Sequence, residues 1–431
     1  MKANSADAER TGQLRTLALQ FILLMGLVSM FGDIAYEGGR GVAGPFLATL
    51  GASAVVVGTV AGLGEFLGYA IRLVSGTLAD RTRAYWLLAA LGYGMIAAVP
   101  LLALAGRWEI AAALLILERI GKGLRSPARD TLLSFATKQV GRGWGFGLHE
   151  AIDQIGGILG PLVFFVALRL GGGYRGGFTF LWLPTILCLT MLFLARRRLP
   201  RPLQLEQRAV GQTVVGDSAA ADALQTGEAA PGPLTAPASS AEPRLPKAFW
   251  LYSVFVLLSV TGFANFQLIS YHLQTRGLAP GADIALLYAI AMLVDAVVAV
   301  LIGRAYDRLG FKALLAIPLL TMPIPWLAFT SQYALAVIAV VLWGGVMGIH
   351  ETIMRAAIAD ITPISWRGRS YGIFNTLYGV AWLLAGAGMG WLYERTPLAI
   401  GVLVILLELA SLPVLFRLLQ QLRKSPGQGS A

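Results

Sequence analysis

Gly76-Thr-Leu-Ala-Asp80-Arg81-Thr-Arg83 returns in the second half of the chain as Gly303-Arg-Ala-Tyr-Asp307-Arg308-Leu-Gly310-Phe-Lys312. Each copy closes a long apolar stretch. The chain therefore reads as a duplicated set of membrane helices, and its charges must be judged against lipid and a central cavity. Over 431 residues, 56% are hydrophobic and 13% charged, and the mean hydropathy is +0.69. That balance excludes an ordinary soluble domain. A helix that crosses a bilayer needs about 20 mostly apolar residues. Twelve stretches qualify: 17–49, 53–78, 84–105, 108–132, 144–169, 177–196, 248–275, 281–305, 311–329, 332–359, 367–394 and 396–419. The expectation is an all-α membrane protein, with twelve transmembrane helices in two pseudo-symmetric six-helix bundles. The bundles are residues 1–196 and 248–431, joined by a cytoplasmic linker over 197–247. Within that linker, 209–243 is rich in Ala, Gly, Ser, Pro and Glu without apolar periodicity, the composition of a disordered tether.

A net charge of +11 would suggest nucleic acid in a soluble protein, but its distribution argues against that partner. Arg15, Arg81, Arg83, Lys138, Arg142, Arg196, Arg197, Arg198, Arg308, Lys312, Arg367 and Arg423 fall in one set of alternating loops and ends. The other set carries Arg107, Arg169, Arg175, Arg276 and Arg395. This asymmetry is the positive-inside pattern and puts both termini in the cytoplasm. Cys188 is the single cysteine, so no intramolecular disulfide can form. The first apolar stretch is too long for a signal-peptide core and is expected to remain as the first membrane helix.

The repeated pattern, glycine, three residues, acid and arginine, resembles the loop motif of the major facilitator superfamily. The second copy is complete, whereas Arg83 replaces the second glycine of the first. A further repeat pairs Arg125-Ser-Pro-Ala-Arg-Asp130 with Arg355-Ala-Ala-Ile-Ala-Asp360. Gly76, Asp80, Arg81, Arg125, Asp130, Gly303, Asp307, Arg308, Arg355 and Asp360 are thus expected to cap helices and latch a cytoplasmic gate. Arg119-Ile-Gly-Lys-Gly123 resembles the superfamily's fourth-helix motif, which the family associates with proton transfer. Gly147, Gly156 and Gly160-Pro161 resemble the fifth-helix motif of its proton antiporters. Segments 31–40, 118–130 and 147–153 also resemble a group of bacterial permeases of this superfamily. The resemblance covers nearly the whole chain. It implies a secondary transporter of the bacterial cytoplasmic (inner) membrane, working by alternating access between its halves. Its implied partners are a small-molecule substrate, protons and the lipid bilayer, with no cofactor, no nucleic acid and a monomeric state.

An ion inside the membrane is costly, so each intramembrane ionisable residue is a functional candidate. Asp33, Glu37 and Arg40 stand at i, i+4 and i+7, hence on one face of the first helix. Asp33 lies roughly 24 Å into that helix at 1.5 Å per residue. It can load and release a proton, or serve as a structural pairing partner. Glu37 and Arg40 suit an ordinary ion pair. Glu65 and Arg72 share a stripe of the second helix. Glu118 and Arg119 follow on the fourth, where Arg119 either tunes a proton-carrying acid or is held by Glu118 or an acid of the first two helices. His149, Glu150 and Asp153 cluster on the fifth helix, and His350-Glu351 repeats the pair on the tenth. A zinc-protease motif is ruled out, because Asp153 and Met354 stand where the second histidine belongs. Asn265, Gln267 and Asn375 are the polar candidates of the second half. The preferred reading is proton antiport that exports a small organic solute, with Asp33 or the Glu150/Asp153 pair exchanging its proton as the halves rock. Its rivals are uptake of an anionic solute through Arg40, Arg72 and Arg119, divalent-metal transport through His149, Asp153 and His350, and a ligand-binding membrane sensor. No motif supports an enzyme, and no Walker lysine supports ATP drive.

Overall fold

The computed structural model describes residues 2–137, 139–200, 245–362 and 367–424. Most of the expected linker, 201–244, therefore lies outside the described residues. Every regular element within them is helical. In lipid no water is available to backbone groups, so each crossing segment must satisfy its own hydrogen bonds as a helix. The first half contains α1 (Lys2–Thr49), α2 (Ala54–Thr82), α3 (Tyr85–Gly94), α4 (Ala98–Leu101), α5 (Trp108–Thr137), α6 (Arg142–Arg169), α7 (Gly173–Phe180) and α8 (Trp182–Arg198). The second contains α9 (Lys247–Thr261), α10 (Phe266–Thr275), α11 (Gly281–Leu309), α12 (Ala316–Thr321), α13 (Ile324–Ala328), α14 (Tyr333–Ile361), α15 (Arg367–Arg395) and α16 (Pro397–Lys424).

Among the described residues, ten helical segments are long and apolar enough to cross a membrane, against the twelve expected from sequence. The difference has two causes. Helix α5 carries Glu118, Arg119, Lys122, Arg125, Arg129 and Asp130, too many charges for a purely apolar criterion. The segment Gly281–Ala328 counts once although it has 48 residues. At 1.5 Å per residue it would reach about 72 Å, more than twice a hydrocarbon core of about 30 Å. It is broken at Gly310, which takes φ 59. A twelve-helix count requires including α5 and dividing that segment at Gly310.

The two loop motifs end their helices differently. Arg83 closes α2 with φ 54 and ψ 19, a left-handed cap whose backbone N–H donates to Ala79 O at 2.8 Å. Gly310 closes α11 with φ 59 and ψ −142, a region essentially reserved for glycine. The arginine is tolerated in the first copy because a left-handed cap costs an L-residue only about 1–2 kcal/mol. In the second copy, any side chain would meet its own backbone.

Two buried apolar clusters organise the packing. One is drawn from residues 18–199 with Ala285, the other from 248–418 with Ala54. They meet where small residues let backbones touch. A Cβ on Gly62 would lie 2.6 Å from Trp382 O, one on Gly386 would lie 3.0 Å from Gly62 N, and one on Gly390 would lie 2.6 Å from Ala54 O. This glycine seam joins the first half of α2 to the second half of α15, on the side away from the chain ends. Cross-half bonds reinforce that side. Arg169 Nη2 lies 2.6 Å from Asp283 Oδ1, Tyr174 Oη donates to Gln274 Oε1 at 3.0 Å, and Val55 N donates to Glu394 Oε1 at 3.0 Å. Overpacking a tight contact costs about 1–3 kcal/mol, so Gly386→Val should loosen this closure. Thiol labelling of a Val55→Cys reporter should then accelerate several-fold. Cys188 is fully buried, so it leaves the readout clean.

Candidate functional site

Between the halves lies a cavity of about 140 Å³. Its walls come from α1 (Asp33, Tyr36, Glu37, Arg40), α2 (Glu65, Tyr69, Arg72), α5 (Lys122, Arg125, Arg129, Asp130), α6 (Glu150, Asp153), α11 (Met292, Asp295), α14 (Met347, Glu351) and α15 (Trp382). Asp130, Glu150 and Glu351 are exposed and lie toward the ends of their helices that face the chain termini. The cavity therefore opens to the terminal face and is shut at the opposite one.

The floor is a chain of ions with alternating sign. Tyr288 Oη donates to Glu37 Oε2 at 2.6 Å. Glu37 Oε1 is 3.5 Å from Arg40 Nη1, and Arg40 Nη2 is 3.3 Å from Glu65 Oε1. The same Glu65 oxygen is 3.0 Å from Arg119 Nη1, and Arg119 also donates to Tyr36 Oη. Glu118 lies 3.9 Å from Arg119 and 3.4 Å from Arg125. Three carboxylates thus face three guanidiniums, which is how buried charge becomes tolerable. The expected Glu37–Arg40 pair is present, and Arg119 is held by an acid of the second helix. A smaller void of about 30 Å³ lies behind this floor, lined by Glu118, Arg119 and Gln267.

A second cluster flanks Asp33. Ser29 Oγ is 2.9 Å from His149 Nε2 and 3.2 Å from Tyr93 Oη, and it accepts from Arg129 Nη1 at 3.4 Å. Arg129 lies 2.9 Å from Asp130 and 3.8 Å from Asp153. The potential ligand atoms of His149, Glu150 and Asp153 come within 4.8 Å of one another, but His350 is not in that group. His350 is buried against Phe263, their ring centroids 5.1 Å apart. The metal set His149, Asp153 and His350 is therefore not gathered as such, and Arg129 already supplies a cation beside the α6 cluster.

Other sequence candidates fall elsewhere. Asn265 caps α10, its Oδ1 accepting from Leu268 N at 2.9 Å. Asn265 and Asn375 do not line the cavity. Of the gate residues, Arg125 and Asp130 line the cavity itself, and Arg125 is buried. Asp80, Arg81, Asp307 and Arg308 are exposed at helix ends, and among the described residues no ion pair joins them. Asp360 accepts from Tyr306 Oη at 2.8 Å, while the Arg355 side chain lies outside the described residues. Gly156 and Gly160 seat α6 on α1. A Cβ on Gly156 would be 3.0 Å from Met30 Cα, and one on Gly160 would be 2.6 Å from Ile34 O. Sequence reasoning passed over Lys122, Arg129, Asp295 and Tyr288 as site residues. Asp295 was detectable as a lone acid in an apolar stretch, whereas nothing in the sequence marks Tyr288.

Breaking a buried pair costs about 3–5 kcal/mol, because it leaves the partner charge uncompensated. Glu65→Gln leaves Arg40 with Glu37 alone and Arg119 with the more distant Glu118, so it should destabilise the purified protein by up to about that amount. Adding Arg119→Gln should restore part of the loss, as read by thermal unfolding in mixed micelles.

Known proteins share this chain's family and fold. A family model described as the Major Facilitator Superfamily matches residues 20–386. Uncharacterized protein Rv2265 of Mycobacterium tuberculosis is 39% identical over 401 residues, covering 93% of each chain. The uncharacterized MFS-type transporter MJ1317 of Methanocaldococcus jannaschii is 25% identical over 394 residues, covering 87% of this chain and 89% of its own. Among solved structures, the nucleoside transporter NupG superposes with a TM-score of 0.67 at 13% identity, covering 94% of this chain and 99% of its own. A POT family transporter in complex with 5-aminolevulinic acid reaches 0.69 at 14% identity, covering 94% and 96%. At that identity the two structures speak for the fold alone. The chain belongs to the major facilitator superfamily and is a multi-pass membrane transporter, not an enzyme.

Proposed function

We propose that this transporter is a proton-coupled antiporter that exports a small organic solute by rocking its two six-helix bundles around the central cavity. The observation that carries the reading is the state of Asp33. It lines the cavity, it is partly exposed there, and among the described residues no cation lies within 4.0 Å of it. Glu65 and Glu118, by contrast, are locked between arginines. A carboxylate held by two guanidiniums is committed to the packing of its helices, because releasing it strands their charge. One that borders water without a fixed counter-ion can exchange its proton as access alternates. Arg119 acts at a distance in this scheme, by holding the floor on which α1 presents Asp33.

The export direction draws its support from the fifth-helix glycine and proline pattern, which α6 uses to pack against the helix that bears Asp33. The positive-inside pattern supports cytoplasmic termini, so the observed opening would face the cytoplasm of a bacterial inner membrane. The protein acts as a monomer in this reading, because one chain carries both halves. The exposed loop motifs at Asp80–Arg81 and Asp307–Arg308 are free to engage when that face closes.

Asp33→Asn keeps the size and loses the proton. In everted vesicles it should abolish solute-induced collapse of an imposed proton gradient, while solute exchange without a gradient persists. Undiminished proton movement in the variant would remove Asp33 from the mechanism.

A further inference from the structure

Lys122 and Asp295 lie outside the ion network, line the cavity without a counter-charge within 4.0 Å among the described residues, as Asp33 does, and stand on opposite halves. Lys122 is the fifteenth of the 30 residues of α5. Asp295 is the fifteenth of the 29 residues of α11. Both side chains line the same cavity, at the midpoint of their helices and so at matching depth. Among the described residues, Lys122 has no carboxylate within 4.0 Å, and its Nζ rests 3.7 Å from the centroid of the Tyr36 ring. Asp295 is only 4% exposed, and its buried Oδ1 has no hydrogen-bond partner. A buried carboxylate oxygen left unmatched is costly, and the residue that carries it lines the solute cavity.

The surroundings of Asp295 differ from those of Lys122. Met292, Met347 and Trp382 are all nearly fully buried and form the cavity wall on the Asp295 side. Thioether and indole surfaces suit an ammonium group and an apolar substituent together. The Lys122 side is polar, with Arg125 and Arg129 on the same helix.

We propose that the cavity recognises a small zwitterion with an apolar side chain. Its ammonium group pairs with Asp295 against Trp382 and the two methionines, and its carboxylate pairs with Lys122. The inference rests on the reading of this cavity as the solute site, and it deepens that reading by naming the solute class. Because one charge of the ligand sits on each half, the bound solute bridges α5 and α11 across the gap that opens to the terminal face. Neither a simple organic cation nor a simple anion satisfies both groups.

The test is equilibrium binding to the full-length protein in lipid nanodiscs without any gradient, read by thermal shift and calorimetry. The probes are phenylalanine and leucine, their carboxamides, which keep only the ammonium, and their N-acetyl derivatives, which keep only the carboxylate. A zwitterion should bind at least about tenfold more tightly than either single-charge analogue. Asp295→Asn should weaken the zwitterion and the carboxamide while leaving the N-acetyl compound unchanged. Lys122→Gln should do the reverse. Equal binding of all three forms of a probe, or no binding of any probe, overturns the proposal. The comparison among probes uses the unaltered protein, so it stands even where a variant fails to fold. Proton coupling is not read in this assay, and its failure would appear only in the gradient experiments.

Discussion

Glu65 receives Arg40 from α1 and Arg119 from α5 on one oxygen, at 3.3 and 3.0 Å, and the first half of the protein is built around that junction. Each of these ions would cost several kcal/mol to bury alone. Arranged as acid, base, acid, base, acid and base from Glu37 to Arg125, they neutralise one another over a short path through the membrane. The arrangement fixes the relative height and rotation of three helices, because moving any one strands a charge on the next. Tyr288 then brings α11 of the other half onto the same network through Glu37.

The second half is held by different means. Phe263, Phe266, Tyr288, Trp343 and Trp382 form a contiguous aromatic group, with stacked, tilted and edge contacts at centroid distances of 4.5–6.1 Å. Its buried carboxylate Glu408 is met by Ser259 at 3.3 Å rather than by a base. Ionic order is thus concentrated in one half and apolar packing in the other. Apolar surfaces re-pack against each other at small cost, whereas an ion network does not. The glycine seam between α2 and α15 suits this division. Backbone-to-backbone contact is tight when closed, and the polar bonds that must part there, Arg169–Asp283 and Val55–Glu394, lie at the exposed rim.

The membrane class, the helical segments and the duplication were legible in the chain because bilayer insertion is a local test. About 20 apolar residues either satisfy their own backbone in lipid or do not, and no neighbour is consulted. The same locality made Glu37 and Arg40 recognisable as a pair, since i and i+3 lie on one helical face. Sequence spacing was less informative for Asn265, which proved to be a helix cap, and for Arg125, which sits within the cavity instead of at a surface latch. In both cases the residue type was right for several roles, and only its neighbours chose among them.

The sequence by itself determined that the chain is a duplicated membrane helix bundle with ionisable residues inside it. The tertiary structure decided which of those residues neutralise each other and which remain facing the cavity. Glu65 and Arg119 are 54 positions apart, and Tyr288 is 251 from Glu37. The distances that set their energies are set by helix packing, which no spacing along the chain encodes. Asp33, Lys122 and Asp295 differ from Glu37, Arg40, Glu65, Glu118, Arg119 and Arg125 for the same physical reason: folding brought each of those six a counter-charge within 4 Å, and among the described residues none lies that close to these three.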